Sequence, residues 1–468
     1  MRVLGMGASM VTVGLTVRHL GGESYGNLTT AIVFISLWTS LTELGVGAVI
    51  TRRVTSGTGD LERLVRVNTG LSIFYSIPLT LISIGVGLAI YRDEPTVVQV
   101  LPIIGLSLAL TAISSCMAPV FLVTVRFGSV AFSDFGGRAL SLVLTLVLLH
   151  LDTGIVWFAV VQLVPPVVVL VMQGVAASRI ISWRPVWSLS ESWALMRESL
   201  PQTAVLIIGV LYWRIDGVLL SVLDTPVGVA TYYLATTVAF TLSIVPTFFQ
   251  TATLSTMTAL YAEAPDRLAR FTEQAIRTMM FLGLPIAAVG WVVAAPAMTL
   301  MGSDELDSSA GTTLAILLVA VGVTFLNGSL SQALFAAHQQ VFLLRLNIVT
   351  LLINIGLNVA LVPTWSVVGA AVALLVTEAT GLVIVAWRLA RMIEFRFPWR
   401  YSAALLVPTV IAMAAATLVP GEGLAELPIS LGAAVAAYLV VNIAIGPVRI
   451  GTVRQMLGRG DDRLEADA

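Results

Sequence analysis

Long runs of apolar residues recur along almost the whole chain, and short segments rich in charges and turn residues separate them. A run of about 18 or more apolar residues is long enough to cross a bilayer as a helix. The runs lie near residues 3–20, 25–50, 67–91, 97–125, 130–150, 154–178, 200–222, 228–257, 275–300, 311–336, 341–363, 367–388, 400–419 and 428–447. This pattern predicts an all-α polytopic membrane protein with about 14 transmembrane helices.

The composition agrees with this prediction. Hydrophobic residues make up 57% of the 468 positions and charged residues only 11%, whereas a soluble domain carries about 25% charged residues. The chain therefore lacks the polar surface that a soluble enzyme of this length would need.

Residue types that form metal, redox or phosphate-transfer sites are scarce. Cys116 is the single cysteine, which excludes an intramolecular disulfide and a thiolate metal cluster. The histidines (His19, His150 and His338) lack the spacing of metal ligands, and without a lysine the chain has no phosphate-binding loop of the ATPase type. We therefore expect no metal site, no cofactor, no nucleic-acid partner and no enzymatic activity.

The arginines predict the orientation, because cytoplasmic loops are enriched in positive charge. If the N-terminus is cytoplasmic, the outward loops hold only Arg18 and Arg92. The cytoplasmic side then collects Arg52, Arg53, Arg63, Arg66, Arg126, Arg179, Arg184, Arg197, Arg267, Arg270, Arg277, Arg345, Arg388, Arg391, Arg396, Arg400, Arg449, Arg454, Arg459 and Arg463. We expect a multi-pass protein of a bacterial cytoplasmic membrane with both termini in the cytoplasm.

A polar segment and a weak internal repeat predict two equivalent lobes. Residues 23–31 can be aligned with residues 227–235, six predicted spans later, as in transporters built from parallel repeats. The predicted organisation is an N-terminal six-helix lobe (1–178), a cytoplasmic linker (179–199), a second six-helix lobe (200–393), two additional helices (394–447) and a cytoplasmic tail (448–468).

Several charged residues fall inside predicted spans, where each costs roughly 2.5–3.5 kcal/mol on insertion scales. They are Glu43, Arg138, Arg214, Asp216 and Glu378. Asp134 lies four residues before Arg138, so the two side chains can pair on one helix face. Two interpretations remain open: interhelical ion pairs that fix the packing, such as Arg214 with Glu43, or a polar cavity with fixed positive charge.

Three amides share one helical face in the eleventh predicted span. Asn347, Asn354 and Asn358 are separated by seven and four residues, and both spacings return to the same face. Such side chains can hold neighbouring helices together by hydrogen bonds or can line a cavity.

Four short motifs, in order along residues 1–393, resemble the oligosaccharide (Wzx-type, O-antigen) flippases. That family shares the MOP superfamily with the multidrug (MATE) transporters and the lipid II flippases. The motifs are LGGESYG at 20–26, LTELGVG at 41–47 followed by TRR at 51–53, SLP at 199–201 with LYWRID at 211–216, and the run from Asn347 to Pro363 followed by VGAA at 368–371. Glu43 stands where that family usually has Asp, and residues 394–468 match nothing distinctive.

The resemblance implies two lobes around a central cavity that opens alternately to each side of the membrane. It also implies a cargo, an oligosaccharide on a polyprenyl diphosphate, which is moved from the cytoplasmic to the outer leaflet for cell-surface polysaccharide biosynthesis. Membrane lipids and polysaccharide polymerase or assembly proteins are the expected partners.

The charged residues suit such a cargo. The guanidinium group matches phosphate oxygens, and we predict that Arg214, Arg138, Arg18 and Arg52 contact the head group. Glu43, Asp216 and Glu378 are predicted to hold these arginines or to carry a coupling ion, H⁺ or Na⁺.

Other functions remain open. A cation-coupled multidrug exporter predicts a cavity dominated by acids, and a lipid II flippase would differ in its cargo. A membrane glycosyltransferase or polymerase that acts on lipid-linked sugars would need larger outer loops than this chain offers. A scaffold without transport activity is a further alternative.

Overall fold

The computed structural model of the protein describes residues 1–302, 306–393, 395–418 and 426–447. Within these ranges the chain is helical and contains no strand. The helices are α1 (Arg2–Trp38), α2 (Ser40–Glu43), α3 (Val46–Thr55), α4 (Leu61–Ile90), α5 (Pro95–Ser115), α6 (Ala118–Val123), α7 (Phe127–His150), α8 (Ile155–Val161), α9 (Val164–Ser178), α10 (Leu189–Leu223), α11 (Pro226–Thr241), α12 (Ile244–Glu263), α13 (Pro265–Met301), α14 (Ala310–Ala336), α15 (Gln340–Met392), α16 (Trp399–Leu418) and α17 (Glu426–Ala444).

Twelve helical segments of the described chain are long and apolar enough to cross a membrane. Two of them, Leu4–Thr55 and Gln340–Met392, have 52 and 53 residues. At 1.5 Å per residue each would extend about 78 Å, more than twice the roughly 30 Å of a bilayer core. Each segment therefore has the length of two spans, which accounts for the fourteen spans predicted. The prediction of an all-α polytopic membrane protein is confirmed.

In each of these double-length segments a residue with positive φ lies between the two predicted spans. Gly21 has φ 75° and ψ 169° inside α1, and Ser366 has φ 49° and ψ −134° inside α15. Residues with a Cβ rarely adopt such angles, which explains the glycine at the first position. Both breaks fall between predicted spans, so the sequence located these boundaries correctly.

A third irregularity separates α2 from α3. Leu44 and Gly45 are both left-handed, with φ 48° and 62°. A backbone break inside a membrane frees carbonyl groups that need new partners. Thr203 of α10 supplies one, because its hydroxyl donates to the Leu44 carbonyl at 2.6 Å.

The chain divides into two compact units. The first contains Met1–Thr237, Met301–Asp307 and Asn347–Ala370, and the second contains Val238–Leu300, Ser308–Leu346 and Ala371–Ala468. The two lobes predicted at 1–178 and 200–393 stay a prediction. The predicted tail, 448–468, lies outside the described residues.

Each unit has its own packed core. In the first unit α1 packs against α5, α7 and α10, while α4 packs against α5 and α7 against α9. In the second unit α12 packs against α14 and α16 against α17. The buried core of the second unit includes Met257, Leu268, Ile276, Leu330, Leu334, Val385, Leu389 and Leu405.

Ion pairs tie the polar segment around residues 179–199 to α3 and α4. Glu198 accepts hydrogen bonds from both Arg52 and Arg53. Arg63 reaches Glu191 with an Nη2–Oε1 distance of 2.6 Å. These contacts join residues more than 120 positions apart in the chain.

Backbone contacts complete this attachment. The Val186 amide donates to the Arg66 carbonyl at 3.0 Å, and Arg66 Nε donates to the Arg184 carbonyl at 3.3 Å. A Cβ on Gly70 would lie 2.5 Å from the Val186 carbonyl oxygen. The polar segment therefore lies directly on the backbone of α4.

Glu198→Gln is expected to weaken this attachment in a pH-dependent manner. The hydrogen bond from Arg53, reinforced by Arg52, holds the pKa of Glu198 below its ordinary value of 4.5. Folding lowers the pKa of this carboxyl group, so the group stabilises the folded protein at pH values above the pKa that it has in the unfolded chain. This stabilisation is lost as the pH falls through the lower pKa of the folded state. The variant should lose about 1 kcal/mol at pH 7, as partly exposed ion pairs do. Thermal unfolding in detergent between pH 7 and pH 4 measures this.

Glu62→Gln is the matched control, because the one ion pair of Glu62 within the described residues is the 3.9 Å contact with Arg66. It should change the unfolding temperature less than Glu198→Gln does. A difference between wild type and Glu198→Gln that does not shrink below pH 4.5 would contradict the ion-pair explanation.

Candidate hydroxyl-lined cavity

A cavity of about 570 Å³ lies within the first unit, among α1, α5, α7, α9 and α11. This volume is in the range of about 300–1,000 Å³ that ligand pockets occupy. Two of its lining residues are charged, Asp134 and Arg138, and one is the amide Gln162. Most of the other polar groups are hydroxyls, from Ser9, Thr12, Thr16, Tyr25, Ser36, Thr39, Ser107, Thr111, Ser114, Ser141, Tyr233 and Thr237.

Arg138 is held in a fixed position at the cavity wall. Its Nε lies 3.1 Å from both carboxylate oxygens of Asp134, one helical turn earlier on α7. Its Nη1 donates to the Ser9 hydroxyl of α1 at 2.8 Å. The pairing that the four-residue spacing predicts is therefore present, and it leaves the Nη2 group of Arg138 for other partners.

Two tyrosines of the cavity lining contact each other. The rings of Tyr25 and Tyr233 meet edge to face with centroids 6.4 Å apart. The guanidinium groups of Arg138 and Arg214 are both within electrostatic reach of the Tyr233 hydroxyl. Arg214 is exposed on α10, and it forms no ion pair with Glu43 in the part of the chain that the structure describes. The interpretation of these two residues as a packing pair therefore does not hold.

Asp216 lies in a second polar group, which we call the Asp216 cluster (Asp216, Tyr232, Asn354 and Asn358). The Asp216 side chain is buried and accepts hydrogen bonds from the Tyr232 hydroxyl at 3.2 Å and from Asn358 Nδ2 at 3.1 Å. Asn358 Nδ2 also donates to the carbonyl and side-chain oxygens of Asn354. Asn358 Oδ1 and Asn354 Nδ2 are buried without a hydrogen-bond partner in the described structure. The cluster thus places a carboxylate and an unused amide oxygen in a water-poor environment.

Asn347 does not join the other two amides. Asn354 and Asn358 are fully buried, whereas Asn347 is exposed near the beginning of α15. The three residues share a helical face, but Asn347 lies about 10 Å further along the helix axis. The packing or cavity-lining role predicted for Asn347 stays a prediction.

Two predicted head-group contacts lie elsewhere. Arg18 is exposed at the end of the first span, and its Nε donates to the Gly302 carbonyl at 3.2 Å. Arg52 is paired with Glu198 at the end of α3. Neither residue lines the cavity.

The remaining predicted carboxylates also lie apart from the cavity. Glu43 is exposed at the end of α2, next to the Leu44–Gly45 break. Glu378 belongs to the second unit, where it is buried and accepts a hydrogen bond from Asn327 Nδ2 at 3.1 Å.

Sequence reasoning missed the hydroxyl lining of the cavity. A signal was present in α5, where Ser107, Thr111 and Ser114 recur at spacings of four and three, the repeat of one helical face. Serine and threonine are frequent in membrane helices, so this pattern alone does not distinguish a cavity from close helix packing.

The family described as polysaccharide biosynthesis protein matches residues 15–311, nearly two thirds of the chain. The chain belongs to this family. The matched region contains Arg138, Arg214 and Asp216, together with most of the cavity wall. No curated protein sequence matches the chain significantly.

Solved structures similar to this polysaccharide biosynthesis protein have the fold of the MOP superfamily. The lipid II flippase MurJ, in an inward closed conformation, has a TM-score of 0.76 at 13% identity, with 97% of each chain covered. An inward-facing multidrug resistance MATE transporter of the MOP superfamily has a TM-score of 0.66 at 16% identity, covering 82% of this chain and 95% of that one. A MOP superfamily transporter from Pyrococcus furiosus has a TM-score of 0.53 at 16% identity, covering 83% and 94%. The predicted family is confirmed by the family match, and these structures show that the chain has the fold of such transporters.

Proposed function

We propose that this protein is a flippase that moves a polyprenyl-diphosphate-linked oligosaccharide from the cytoplasmic to the outer leaflet by alternating access, for cell-surface polysaccharide biosynthesis. The observation that carries the proposal is Arg138, held by Asp134 and Ser9 at the wall of a hydroxyl-lined cavity, with a second arginine, Arg214, exposed in the same unit. Membership of the polysaccharide biosynthesis protein family and the MOP fold support it. In this proposal the protein transports its cargo without catalysing a covalent step.

The chemistry of the cargo explains why two arginines are needed. A diphosphate loses much of its hydration as it crosses the membrane, which is unfavourable unless fixed cations receive it. Arginine remains charged and presents a planar fork of donors to phosphate oxygens. Arg138 is fixed by Asp134 and Ser9, and Arg214 is exposed on α10. We propose these two residues as the head-group contacts.

The orientation in the proposal follows the distribution of arginines. Both termini and the 179–199 linker lie in the cytoplasm of a bacterium. The lobes at 1–178 and 200–393 enclose the cargo in a cavity that opens alternately to each side of the membrane. Proteins that polymerise or assemble the polysaccharide would receive the cargo at the outer face.

We also propose that the Asp216 cluster couples transport to the inward movement of H⁺ or Na⁺. A buried carboxylate beside the unused amide oxygen of Asn358 groups oxygen atoms that favour a small cation. Oxygen donors are the ligands that hard cations prefer. Glu43 and Glu378 are not assigned this role, because Glu43 is exposed and Glu378 is held by Asn327 in the second unit.

The test measures flipping of a polyprenyl-diphosphate oligosaccharide in proteoliposomes. Flipping is detected as the glycan loses its protection from a glycosidase added outside. Arg138→Gln and Arg214→Gln are each expected to slow flipping at least tenfold, since each removes a charge-assisted contact worth about 1.5–3 kcal/mol. Arg92→Gln is the matched control, because Arg92 is exposed and, in the part of the chain that the structure describes, its ion pair is with the neighbouring Asp93. Its rate should equal that of the wild type.

Two results would contradict the proposed function. One is wild-type protein that moves lipid II or a cationic drug but not the lipid-linked oligosaccharide. The other is unchanged flipping in both arginine variants.

A further inference from the structure

We infer that the region where α15 ends and α16 begins binds the phosphate group of an anionic phospholipid. We call this region the interfacial arginine site, and it consists of Arg388, Arg391, Arg396 and Arg400. It belongs to the second unit, whereas the hydroxyl-lined cavity lies in the first. The inference goes beyond the proposed function and does not depend on the identity of the cargo.

Two exposed tryptophans indicate the depth of this site in the membrane. The apolar segment Gln340–Met392 ends before the connection, and the segment Trp399–Leu418 begins after it. Trp387 is 50% exposed near the end of the first segment, and Trp399 is 73% exposed at the beginning of the second. Tryptophan is enriched at the level of the lipid head groups. The arginines beside these two rings therefore lie at the depth of the bilayer phosphates.

Arg388 is a half-buried cation that forms no ion pair with a carboxylate among the described residues. Its Nη2 donates to the side-chain oxygen of Gln339 at 2.9 Å, and its Cζ lies 5.4 Å from the centre of the Phe342 ring. Its Nε is buried and has no hydrogen-bond partner in the described structure. Burying a charge is unfavourable unless the charge is paired and its donors are used. An anionic oxygen at Nε would satisfy both requirements.

Arg391 extends the same site. It follows Arg388 by three residues, so both side chains lie on one face of α15. Arg391 is exposed, and its Cζ lies 4.0 Å from the centre of the Trp387 ring. A ring holds a guanidinium group in place but does not neutralise its charge. Two guanidinium groups one helical turn apart can share the oxygens of one phosphate.

The beginning of α16 also favours a bound anion. Its first turn contains Arg400 and no acidic residue, although the N-terminus of a helix favours negative charge. Ring contacts hold this part of the chain in place. The Phe397 and Trp399 rings lie 4.5 Å apart, and the Cζ of Arg277 lies 5.7 Å from the centre of the Tyr401 ring. An anion here would compensate both the helix end and the arginine.

The charge balance and the location favour a phospholipid as the source of the phosphate. Residues 387–401 contain four arginines and one acidic residue, Glu394, which lies outside the described residues. Clusters of four or more basic residues next to a membrane span attract anionic lipids. Phospholipid phosphates are always present at this depth, whereas a soluble anion would have to displace them. A zwitterionic lipid carries a cation beside its phosphate, so the site should prefer an anionic lipid.

The experiment measures lipid binding to the full-length protein in detergent by native mass spectrometry. The probes are phosphatidylglycerol, which is anionic, and phosphatidylcholine with the same acyl chains, whose choline group neutralises the phosphate. The site variant combines Arg388→Gln with Arg391→Gln. The matched control combines Arg267→Gln with Arg270→Gln, because these exposed residues of α13 carry the same charge and lie at least about 10 Å along the helix axis from Arg277.

Wild-type protein is expected to bind phosphatidylglycerol at least fivefold more tightly than phosphatidylcholine. The site variant should lose this preference, because it removes the two cations that face one phosphate, and the control should keep it. Arg391→Gln alone changes an exposed side chain outside the core. It should weaken phosphatidylglycerol binding at least twofold, and it tests the site even if the double variant does not fold.

Three results would overturn the assignment. The first is wild-type protein that binds both phospholipids equally. The second is a preference that the site variant keeps, or that the control loses as well. The third is displacement of phosphatidylglycerol by farnesyl diphosphate at a tenth of its concentration, which would assign the arginines to a diphosphate head group instead of a phospholipid.

Discussion

Gly26→Ala is expected to destabilise the protein by about 3 kcal/mol or more, which is the upper range for overpacking in a close-packed core. A Cβ at Gly26 of α1 would lie 1.9 Å from the carbonyl oxygen of Pro226 and 2.3 Å from its carbonyl carbon. The neighbour is backbone, so no side-chain rotation relieves the clash, and α1 would have to separate from α11. Thermal unfolding followed by size-exclusion chromatography in detergent measures the loss of stability.

Gly7→Ala is the matched control on the same helix. No atom lies within 4 Å of a Cβ built at Gly7, and alanine favours a helix by up to about 1 kcal/mol relative to glycine. Gly7→Ala should therefore leave stability unchanged or raise it. If the two variants unfold at the same temperature, the close contact of α1 with α11 is not present in the protein.

The span pattern was predictable because bilayer thickness constrains it directly. Each span needs about 20 apolar residues, and the breaks at Gly21 and Ser366 fall where the apolar runs are interrupted. The motif LGGESYG also has a local physical basis. Gly21 adopts a positive φ, Tyr25 contacts Tyr233, and Gly26 leaves room for the Pro226 carbonyl.

The partners of the charged residues were not predictable in the same way. Arg52 pairs with Glu198, 146 positions away, and Asp216 bonds Asn358, 142 positions away. Several spans lie between these residues in the sequence. Helical spacing relates only residues of one helix, so it does not predict that these residues pair. The one pair that spacing did predict, Arg138 with Asp134, lies within a single turn of α7.

The same limitation explains why four arginines looked equivalent in the sequence. Charge inside or beside a span signals a functional or structural need, but it does not distinguish a cavity from a helix end. Arg18 donates a hydrogen bond to the Gly302 carbonyl, and Arg52 forms an ion pair with Glu198. Of the four arginines, Arg138 is the one that lines the cavity. Arg214 is associated with the cavity only through Tyr233. Tertiary structure thus separates residues that composition treats alike.

Asp216→Asn is expected to slow gradient-driven flipping at least tenfold and to remove its dependence on the ion gradient. The carboxylate accepts from Tyr232 and Asn358 with separate oxygens. An amide keeps the acceptor that Asn358 needs, and its Nδ2 can donate to the Tyr232 hydroxyl, which is also an acceptor. The substitution therefore removes chiefly the negative charge that would attract H⁺ or Na⁺.

The measurement uses proteoliposomes with a pH gradient at equal Na⁺, and separately a Na⁺ gradient at equal pH. Asp224→Asn is the control, because Asp224 ends the same helix and bonds Ser366 and the Thr225 amide outside the cluster. It should retain both the rate and the gradient dependence of the wild type. The gradient to which the wild type responds, and to which Asp216→Asn does not, identifies the coupling ion. If Asp216→Asn keeps full gradient-driven flipping, the cluster serves packing rather than coupling, and its unused amide oxygen then lacks a functional explanation.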